Sequence, residues 1–542
     1  MIFGSLLGDT LTTSAGGDII FSYTGDDDIS STHLNTNLFA GEGDDILDSS
    51  GLFVFAGGTG DLQHSFGQFG GEGDDDHFVD VKVDTVEGNT VNGIFYGDGG
   101  DDTMDITIAG TATGGAPATV AVQAVVDGGN GDDNMTISAG SGATSTGTID
   151  VAVTGGRGSD TIYATASDSD YTGDSTNVLV IDGGAGNDQM TGAVGLLAGN
   201  SAAASDVSGV VQMFGGFGLD TLTTSINSNT PFGANADVTG SVFADGGGAN
   251  DQLTNNMTAS GTAGSISYDA NLNGGLGLDT INSNVSANAI GDANGSTFID
   301  GGGGADDIDS ILSVLGSTGT ATAFQEIQGG IGADDIYGLV QITNTGAGNT
   351  GTNSIDGGNG HDVIVGEILG QGENHLYGGI GNDSITSISG AAFDGSEIHE
   401  LHGGNGNDTL TGGDGIDDLF GDSGNDTLIA SQSLLGIGHT NAVMYGGTGA
   451  DTFVFDLSVN QSVSDIGDWS DTQDILQFVG LADGGAPGLV DDIDALATFA
   501  DNGSDVTVTF ASGTLIKFVG MGTGSINSIG DLVTDPFAQL IA

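Results

Sequence analysis

A short pattern of glycines followed by an aspartate recurs along the 542-residue chain. Typical copies read GGAGNDQM from residue 183 and GGIGADDI from residue 329, so each copy runs Gly-Gly-x-Gly-x-Asp-x-apolar. Successive glycines let the backbone adopt positive φ and turn its carbonyl groups inward. Carbonyl and carboxylate oxygens are the hard ligands that Ca²⁺ takes in sets of about six to eight. The pattern therefore predicts a calcium-binding loop.

One such loop supplies only about half of a coordination shell, so a second loop must be stacked on it at the strand spacing of about 4.8 Å. The spacing of the copies fits this requirement, because in the centre they begin at 155, 183, 215, 246, 274, 301, 329 and 357. Strand-like segments such as TNVLVIDGG precede the glycines, and others such as DTIYATA follow the aspartate. We therefore predict an all-β fold, a parallel β-solenoid or β-roll stabilised by a ladder of calcium-binding glycine/aspartate turns, with a C-terminal β cap.

From residue 403 to 430 the copies follow one another every nine residues. This tandem resembles the calcium-binding nonapeptide repeats of the RTX (repeats-in-toxin) family. The resemblance implies several bound Ca²⁺ ions, held by the aspartate at the sixth position of each copy. These positions are Asp45, Asp75, Asp102, Asp133, Asp160, Asp188, Asp220, Asp251, Asp279, Asp306, Asp334, Asp362, Asp383, Asp408, Asp417, Asp426 and Asp451. A copy at 57, GGTGDLQ, lacks this aspartate and is expected to bind no ion.

The family's usual β-roll has nine-residue half-coils with calcium turns on both edges, and here only 403–430 keeps that spacing. We expect the 28-residue coils to carry one calcium column on one edge and Ser/Thr/Asn/Gly turns on the other. A second recurrent aspartate stands just before the glycine pair, at Asp127, Asp182, Asp245, Asp300 and Asp356. It is either an additional ligand or, as we expect, a cap of the turn.

The charge of the chain supports a metal. There are 74 acidic residues against three basic ones, for a net charge of −71. Such a chain repels itself unless cations neutralise it, and it lacks the positive charge needed for nucleic acid or for direct attraction to an anionic membrane. The sequence has no cysteine, and no stretch approaches the roughly 18 apolar residues of a membrane span.

Three zones follow from the spacing. Residues 1–96 hold irregular repeats and many phenylalanines (Phe53, Phe55, Phe66, Phe69 and Phe78), and are a candidate assembly contact. Residues 97–430 are predicted to be the regular solenoid, with coils of about 28 residues and the tandem at 403–430. Residues 431–542 end in an alternating strand pair, GSDVTVTFASGTLIKFVGM, and are similar to the terminal module of RTX proteins exported by type I secretion. That resemblance implies an uncleaved C-terminal export signal and an extracellular, cell-surface location.

No catalytic motif is visible in the sequence. His399 and His402 are three residues apart rather than the four of a zinc-binding helix, and G-x-S-x-G does not occur. We therefore predict that the chain is not an enzyme but a secreted, calcium-binding structural protein that self-assembles into a surface layer or extracellular filament. Its expected partners are further copies of itself and cell-surface polysaccharide. The alternatives are a calcium-dependent adhesin or glycan- or ice-binding solenoid and, less favoured, a secreted hydrolase.

Overall fold

The structure is a computed structural model. It describes residues 1–13, 16–55, 62–85, 88–112, 119–143, 146–169, 174–197, 206–229, 237–260, 264–316, 318–344, 348–390, 398–413, 416–429, 442–458, 463–480, 489–511, 513–534 and 540–541. Most of the GGTGDLQ segment, and the side chains of Phe53 and Phe55, lie outside the described part.

The described chain is almost entirely β-strand. In chain order the strands are β1 (Ile2–Phe3), β2 (Thr10–Thr12), β3 (Ile19–Phe21), β4 (Asp28–Ser31), β5 (Asn37–Phe39), β6 (Ile46–Phe55), β7 (Leu62–Glu72), β8 (Asp76–Thr85), β9 (Asn89–Gly99), β10 (Thr103–Ala112), β11 (Thr119–Asn130), β12 (Asn134–Ala143), β13 (Thr146–Arg157), β14 (Thr161–Ser169), β15 (Ser175–Ala185), β16 (Gln189–Leu196), β17 (Val207–Phe217), β18 (Thr221–Asn229), β19 (Val238–Gly248), β20 (Gln252–Ser260), β21 (Ile266–Leu276), β22 (Thr280–Ala289), β23 (Ala293–Gly303), β24 (Asp307–Gly316), β25 (Ala321–Ile331), β26 (Asp335–Asn344), β27 (Thr350–Asn359), β28 (Val363–Leu369), β29 (Glu373–Ile380), β30 (Ser384–Ser389), β31 (Ile398–Asn405), β32 (Thr409–Thr411), β33 (Ile416–Ser423), β34 (Thr427–Ile429), β35 (Ala442–Tyr445), β36 (Thr452–Asp456), β37 (Val463–Ile466), β38 (Ile475–Val479), β39 (Ala497–Asp501), β40 (Val506–Phe510), β41 (Leu515–Phe518) and β42 (Leu540–Ile541). One α-helix, α1 (Leu489–Leu496), and a 3₁₀ turn at Ile529–Asp531 complete the described elements.

The predicted parallel β-solenoid is confirmed. Each odd-numbered strand up to β37 leads into a glycine loop, and the next even-numbered strand leaves it. Among the described pairings up to β38, odd strands pair with the odd strands of neighbouring coils and even strands with even ones, always in parallel, as β13 pairs with β11 and β15. Each coil thus contributes one strand to each of two sheets, and the side chains alternate between the interior and the solvent.

The chain folds into two compact units, one formed by residues 1–298 with 313–321 and 344–348, the other by 299–312 with 322–343 and 349–542. Both enclose a core of aliphatic side chains contributed by alternate strand residues. In the first unit, the coil of β13 and β14 buries Ile149, Val151, Val153, Ile162, Ala164 and Ala166. Regular alternation of this kind fills the interior because a strand directs every second side chain to the same face.

The second unit also buries a column of amides. Nε2 of Gln325 donates to Oδ1 of Asn353 at 3.0 Å, and Nδ2 of Asn353 donates to Oδ1 of Asn374 at 3.0 Å. All three side chains are fully buried. Because buried polar groups are costly unless paired, this column favours one register of the coils over its neighbours.

The predicted C-terminal strand pair is present as the antiparallel hairpin of β40 and β41, and β41 pairs in parallel with β37. Trp469 is buried beside it and donates from Nε1 to the carbonyl of Leu532 at 3.0 Å. Its ring meets Phe518 edge-on at 5.7 Å between centroids. This aromatic cluster replaces the aliphatic core of the preceding coils.

Candidate metal centre

The aspartates of the glycine loops are stacked in a column, here called the aspartate ladder. The backbone N–H of each ladder aspartate donates to Oδ1 of the ladder aspartate in the next coil, as Asp188 does to Asp220 at 2.8 Å. In return the residue after the second aspartate donates its N–H to the carbonyl of the first, as Thr221 does to Asp188 at 2.8 Å. Within each unit, neighbouring coils are therefore tied together through both the side chain and the backbone of one aspartate.

The ladder brings together sixteen of the seventeen predicted aspartates, in two runs. In the first unit it includes Asp45, Asp75, Asp102, Asp133, Asp160, Asp188, Asp220, Asp251 and Asp279. In the second unit it includes Asp306, Asp334, Asp362, Asp383, Asp408, Asp426 and Asp451. All sixteen side chains are buried.

Asp417 is not on the ladder. Asp408 donates directly to Oδ1 of Asp426, 18 residues on, and Asp417 lies between them as a buried residue of β33 in register with His399. Loops nine residues apart fall on alternate edges of a coil, so the middle copy of the tandem faces away from the other two. This is the two-edged arrangement that the sequence predicted for 403–430.

Three ladder aspartates were missed from the sequence. Asp9 and Asp27 extend the first run, since Asp9 donates to Asp27 and Asp27 donates to Asp45 at 2.7 Å. Asp474 extends the second run by accepting the N–H of Asp451 at 3.1 Å. Their loops, GSLLGD, SYTGDD and WSDTQD, lack the glycine pair. The 18-residue spacing of Asp9, Asp27 and Asp45, each followed two residues later by an apolar residue, is the signal that marks the first two.

Glycine is required where loops of successive coils approach one another. Gly332, the fourth residue of its loop, has φ of 148°, and a Cβ there would contact the carbonyl oxygen of Gly304 in the preceding coil. Only a residue without a side chain combines that backbone conformation with that approach. The glycines therefore set the loop shape, and the shape places each aspartate under the next.

Two kinds of oxygen converge inside these loops. A Cβ on Gly329 would lie 2.6 Å from the carbonyl oxygen of Gly357 and 2.7 Å from Oδ2 of Asp334. The same pairing recurs at Gly421, whose Cβ would lie 2.6 Å from both the Gly446 carbonyl and Oδ2 of Asp426. The space that a side chain would fill at these glycines is therefore bordered by a carboxylate oxygen of the same loop and a carbonyl oxygen of the next coil.

The Oδ2 atoms of the ladder point to what this space holds. They are buried and accept no hydrogen bond from the described residues at Asp27, Asp75, Asp102, Asp133, Asp160, Asp188, Asp220, Asp251, Asp334, Asp362, Asp383, Asp408 and Asp426. A buried carboxylate oxygen without a partner is costly. A divalent cation with a preference for oxygen ligands removes that cost, so the residues present fit Ca²⁺.

Burial also shifts the titration of the ladder. Desolvation raises the pKa of Asp75, Asp102 and Asp133 to about 7, against the lowering effect of the backbone N–H that each carboxylate accepts, and neighbouring aspartates raise it further. In the second unit burial raises the pKa of Asp334 and Asp362 to about 6. A column of carboxylates that resist ionisation is the electrostatic signature of a site built for positive charge.

Side chains alone do not complete a shell, since the described residues contain no group of three or more His, Cys, Asp or Glu side chains that could hold a metal ion. This is consistent with a site in which backbone carbonyls supply the remaining ligands, as the geometry at Gly329 and Gly421 indicates. Two of the five aspartates before the glycine pair cap the turn: burial raises the pKa of Asp245 and Asp356, while the N–H groups of Gly247 and Gly358 lower it by hydrogen bonding to the carboxylates.

The opposite edge, where Ser/Thr/Asn/Gly turns were expected, has most of its turn residues outside the described part of the chain. An outer column of exposed aspartates runs along it in the first unit, where Oδ1 of Asp174 accepts the N–H of Asp206 at 3.1 Å and Oδ1 of Asp237 accepts that of Ser265 at 2.8 Å. These aspartates are single residues without glycine pairs, which is why the repeat pattern did not reveal them. They cap the entrances to the odd-numbered strands.

The fold and the aspartate ladder define the class of the protein. It is a parallel β-solenoid whose coils are joined through glycine/aspartate loops fitted to calcium. The family model of the RTX calcium-binding nonapeptide repeat (four copies) matches residues 3–31, 153–175, 180–195, 343–368, 368–387 and 400–431. The chain therefore carries RTX calcium-binding repeats, and these imply several bound Ca²⁺ ions. The first matched segment contains Asp9 and Asp27, two of the three residues that the glycine pattern alone missed. The comparison with curated proteins found no match.

Proposed function

We propose that the protein is a secreted structural protein that folds on binding calcium and self-assembles into a surface layer or extracellular filament. The observation that carries the proposal is the continuity of the aspartate ladder, which ties together all coils from Asp9 to Asp279 and from Asp306 to Asp474. A chain made largely of repeated coils is suited to a structural role in a larger assembly. The matched family model describes a repeat rather than a catalytic domain.

The charge supports a location where calcium is abundant. With a site affinity of ~10⁻⁴ M, about 1 mM calcium stabilises each site by roughly 1.4 kcal/mol, whereas sub-micromolar calcium contributes almost nothing. Summed over the ladder this difference exceeds the stability of a typical domain of about 5–15 kcal/mol. The chain would leave the cell unfolded through type I secretion, directed by residues 431–542, and fold outside. No helix of the described residues is long and apolar enough to cross a membrane.

Negative-stain electron microscopy and sedimentation of the full-length chain test this proposal. In millimolar calcium we expect ordered sheets or fibres that disperse when a chelator is added, with magnesium at the same concentration as the control. A chain that stays monomeric at every concentration in saturating calcium would refute the building-block function.

Residues 1–96 remain the proposed assembly contact. Within them Phe66 is buried and Phe69 stacks between Phe39 and Tyr96, so these rings fill and brace the coils, whereas Leu6 and Leu7 are exposed. A Leu6→Ser/Leu7→Ser variant should assemble at least several-fold more weakly than the wild type in calcium, with equal circular dichroism. Equal assembly of the two proteins would show that Leu6 and Leu7 do not form the assembly contact.

A further inference from the structure

The tips of two glycine loops in the first unit are apolar. At the third and fifth loop positions, Phe217 and Leu219 are 78% and 54% exposed, and Leu276 and Leu278 are 69% and 56% exposed. The two pairs lie two coils apart, because Phe217 pairs in register with Gly248 and Gly248 with Leu276. At about 4.8 Å per coil they form one projecting patch about 10 Å across, here called the apolar tips.

The apolar tips are held firmly. The N–H of Leu219 donates to Oδ1 of Asn187 and that of Leu278 to Oδ1 of Asn250, both at 2.9 Å. The adjoining aspartates, Asp220 and Asp279, are ladder residues. The four side chains are therefore presented by the most constrained part of the coil rather than by a loose loop.

The same positions are acidic nearer the N-terminus. The loops at 40 and 70 carry Glu42, Asp44, Glu72 and Asp74 there. Asp74 accepts the N–H of Asp101 at 2.9 Å, so these carboxylates hold the backbone of the next loop as Asn187 and Asn250 do. Polar residues at the same positions of other loops therefore meet the structural need, and the fold does not require apolar side chains there. Large apolar side chains in water at a regular edge mark a contact surface.

The small area of the apolar tips selects the partner. A stable protein interface buries about 800 Å² on each side, which four protruding side chains do not supply. A lipid bilayer needs no matching surface of that size, since it envelops projecting apolar side chains individually. Its headgroups should be electrically neutral, because the chain has a net charge of −71 and no excess of positive charge to attract an anionic surface.

We propose that the apolar tips dock the protein onto a zwitterionic lipid surface by inserting Phe217, Leu219, Leu276 and Leu278 into the headgroup–acyl boundary. The solenoid then lies with its glycine-loop edge towards the bilayer over these coils. This binding is peripheral and reversible. It goes beyond the function proposed above, because the apolar tips give the protein an affinity for lipid that glycine/aspartate loops alone do not have.

The test uses the full-length chain in saturating calcium and sucrose-loaded phosphatidylcholine vesicles. The tip variant is Phe217→Ser/Leu219→Ser/Leu276→Ser/Leu278→Ser. The control variant replaces four apolar side chains that are 43–50% exposed away from the loop tips, Ile94→Ser/Val125→Ser/Tyr163→Ser/Phe324→Ser. Circular dichroism and calcium stoichiometry establish that all three proteins are folded and loaded. We expect the vesicle partition coefficient of the tip variant to fall roughly tenfold or more, and that of the control to stay within about twofold.

A second readout locates the insertion. The single tryptophan of the chain, Trp469, is buried and reports a constant background. In a Phe217→Trp variant the added indole should shift to shorter emission wavelength with vesicles and be quenched by lipids brominated near the headgroup. Absence of wild-type vesicle binding, or equal binding by the tip and control variants, would overturn the proposal. Self-association without lipid that is lost in the tip variant would overturn it in favour of a second copy of the chain.

Discussion

Long and short coils share the same ladder hydrogen bond but differ in core and in outer face. The step from Asp188 to Asp220 spans 32 residues and the step from Asp408 to Asp426 spans 18, yet both hydrogen bonds measure 2.8 Å. Coil length is therefore absorbed entirely by the strands and the opposite edge. The calcium loops impose the geometry, and the rest of each coil adjusts to it.

The short coils bury fewer aliphatic side chains and stack aromatic rings on their outer face. The coil of β31 and β32 buries two aliphatic side chains, Leu401 and Leu410, against six in the coil of β13 and β14. On its outer face, just before the glycine pair, the short-coil region stacks aromatic rings. Phe420 lies 4.5 Å from His402 and 5.4 Å from Tyr445 between ring centroids. A similar stack joins Phe3, Phe21, Phe39, Phe69 and Tyr96. Most long coils carry Asp, Thr, Asn or Gln at this position.

Removing calcium should produce the largest difference in stability between the short-coil and long-coil regions. Because short coils have less apolar burial per residue, they depend more on the ions than long coils do. Chelation should abolish most of the β signal in circular dichroism. In a calcium titration followed by hydrogen exchange, peptides from 398–429 should need a higher calcium concentration for protection than peptides from 146–169. An unchanged β signal after prolonged chelation would contradict calcium-dependent folding.

Much of this contrast was accessible from the sequence. Repetition of the motif gave the parallel solenoid and sixteen ladder aspartates, because a fixed loop forces a fixed register. The resemblance to nonapeptide repeats also implied that the middle copy of the tandem, which contains Asp417, turns on the edge opposite to its two neighbours, because half-coils of nine residues alternate between edges. Asp27 and Asp474 were hidden because their loops reach the same shape without a glycine pair. The opposite-edge aspartates, such as Asp174, keep the spacing of the coils, but they stand without a glycine motif that would distinguish them from other aspartates.

Acid should partly replace calcium. In the calcium-free protein burial raises the pKa of Asp75, Asp102 and Asp133 to about 7, from an ordinary value of 3.8. The folded state therefore binds protons more tightly than the unfolded state between pH ~4 and ~7. Stability is greatest below this window and is lost as the pH rises through it. In chelator, the β signal should increase as the pH falls from about 8 to about 5. A flat titration would show that the ladder carboxylates are not buried without calcium.

Single ladder substitutions compare the regions directly. Asp220→Asn and Asp408→Asn each keep an oxygen to accept the inter-coil hydrogen bond but remove the charge that faces the ion. We expect each to lower calcium stoichiometry and to cost about 1.5–3 kcal/mol locally. Hydrogen exchange should show Asp408→Asn opening several neighbouring coils and Asp220→Asn opening only its own and the adjoining coil. Loss of all bound calcium in either variant would disprove nearest-neighbour coupling.

The aromatic stack at Phe420 should stabilise its short coils more than a polar side chain at the same position stabilises a long coil. Phe420→Ala removes two ring contacts and should lower the free energy of unfolding of the surrounding coils by about 1–3 kcal/mol. Asp182→Ala, at the same loop position in a long coil, should change stability by no more than about 0.5 kcal/mol. Local hydrogen exchange at fixed calcium measures both. Equal effects would mean that the stack does not compensate for the smaller core.

The smallest effect concerns one loop of the long-coil region that departs from the glycine rule. Ala249 stands at the fourth loop position with φ of 107°, where the neighbouring loops have Gly218 and Gly277. A Cβ in this conformation is strained, whereas glycine adopts it freely, and the gain is reduced by the greater freedom of glycine in the unfolded chain. Ala249→Gly should therefore stabilise its coil by about 1 kcal/mol. The reverse substitution Gly218→Ala, whose Cβ would contact the carbonyl oxygen of Gly186, should destabilise its coil by more than that. If both changes proved neutral in calcium-saturated exchange measurements, loop shape would be set by the ion rather than by the glycines, in long and short coils alike.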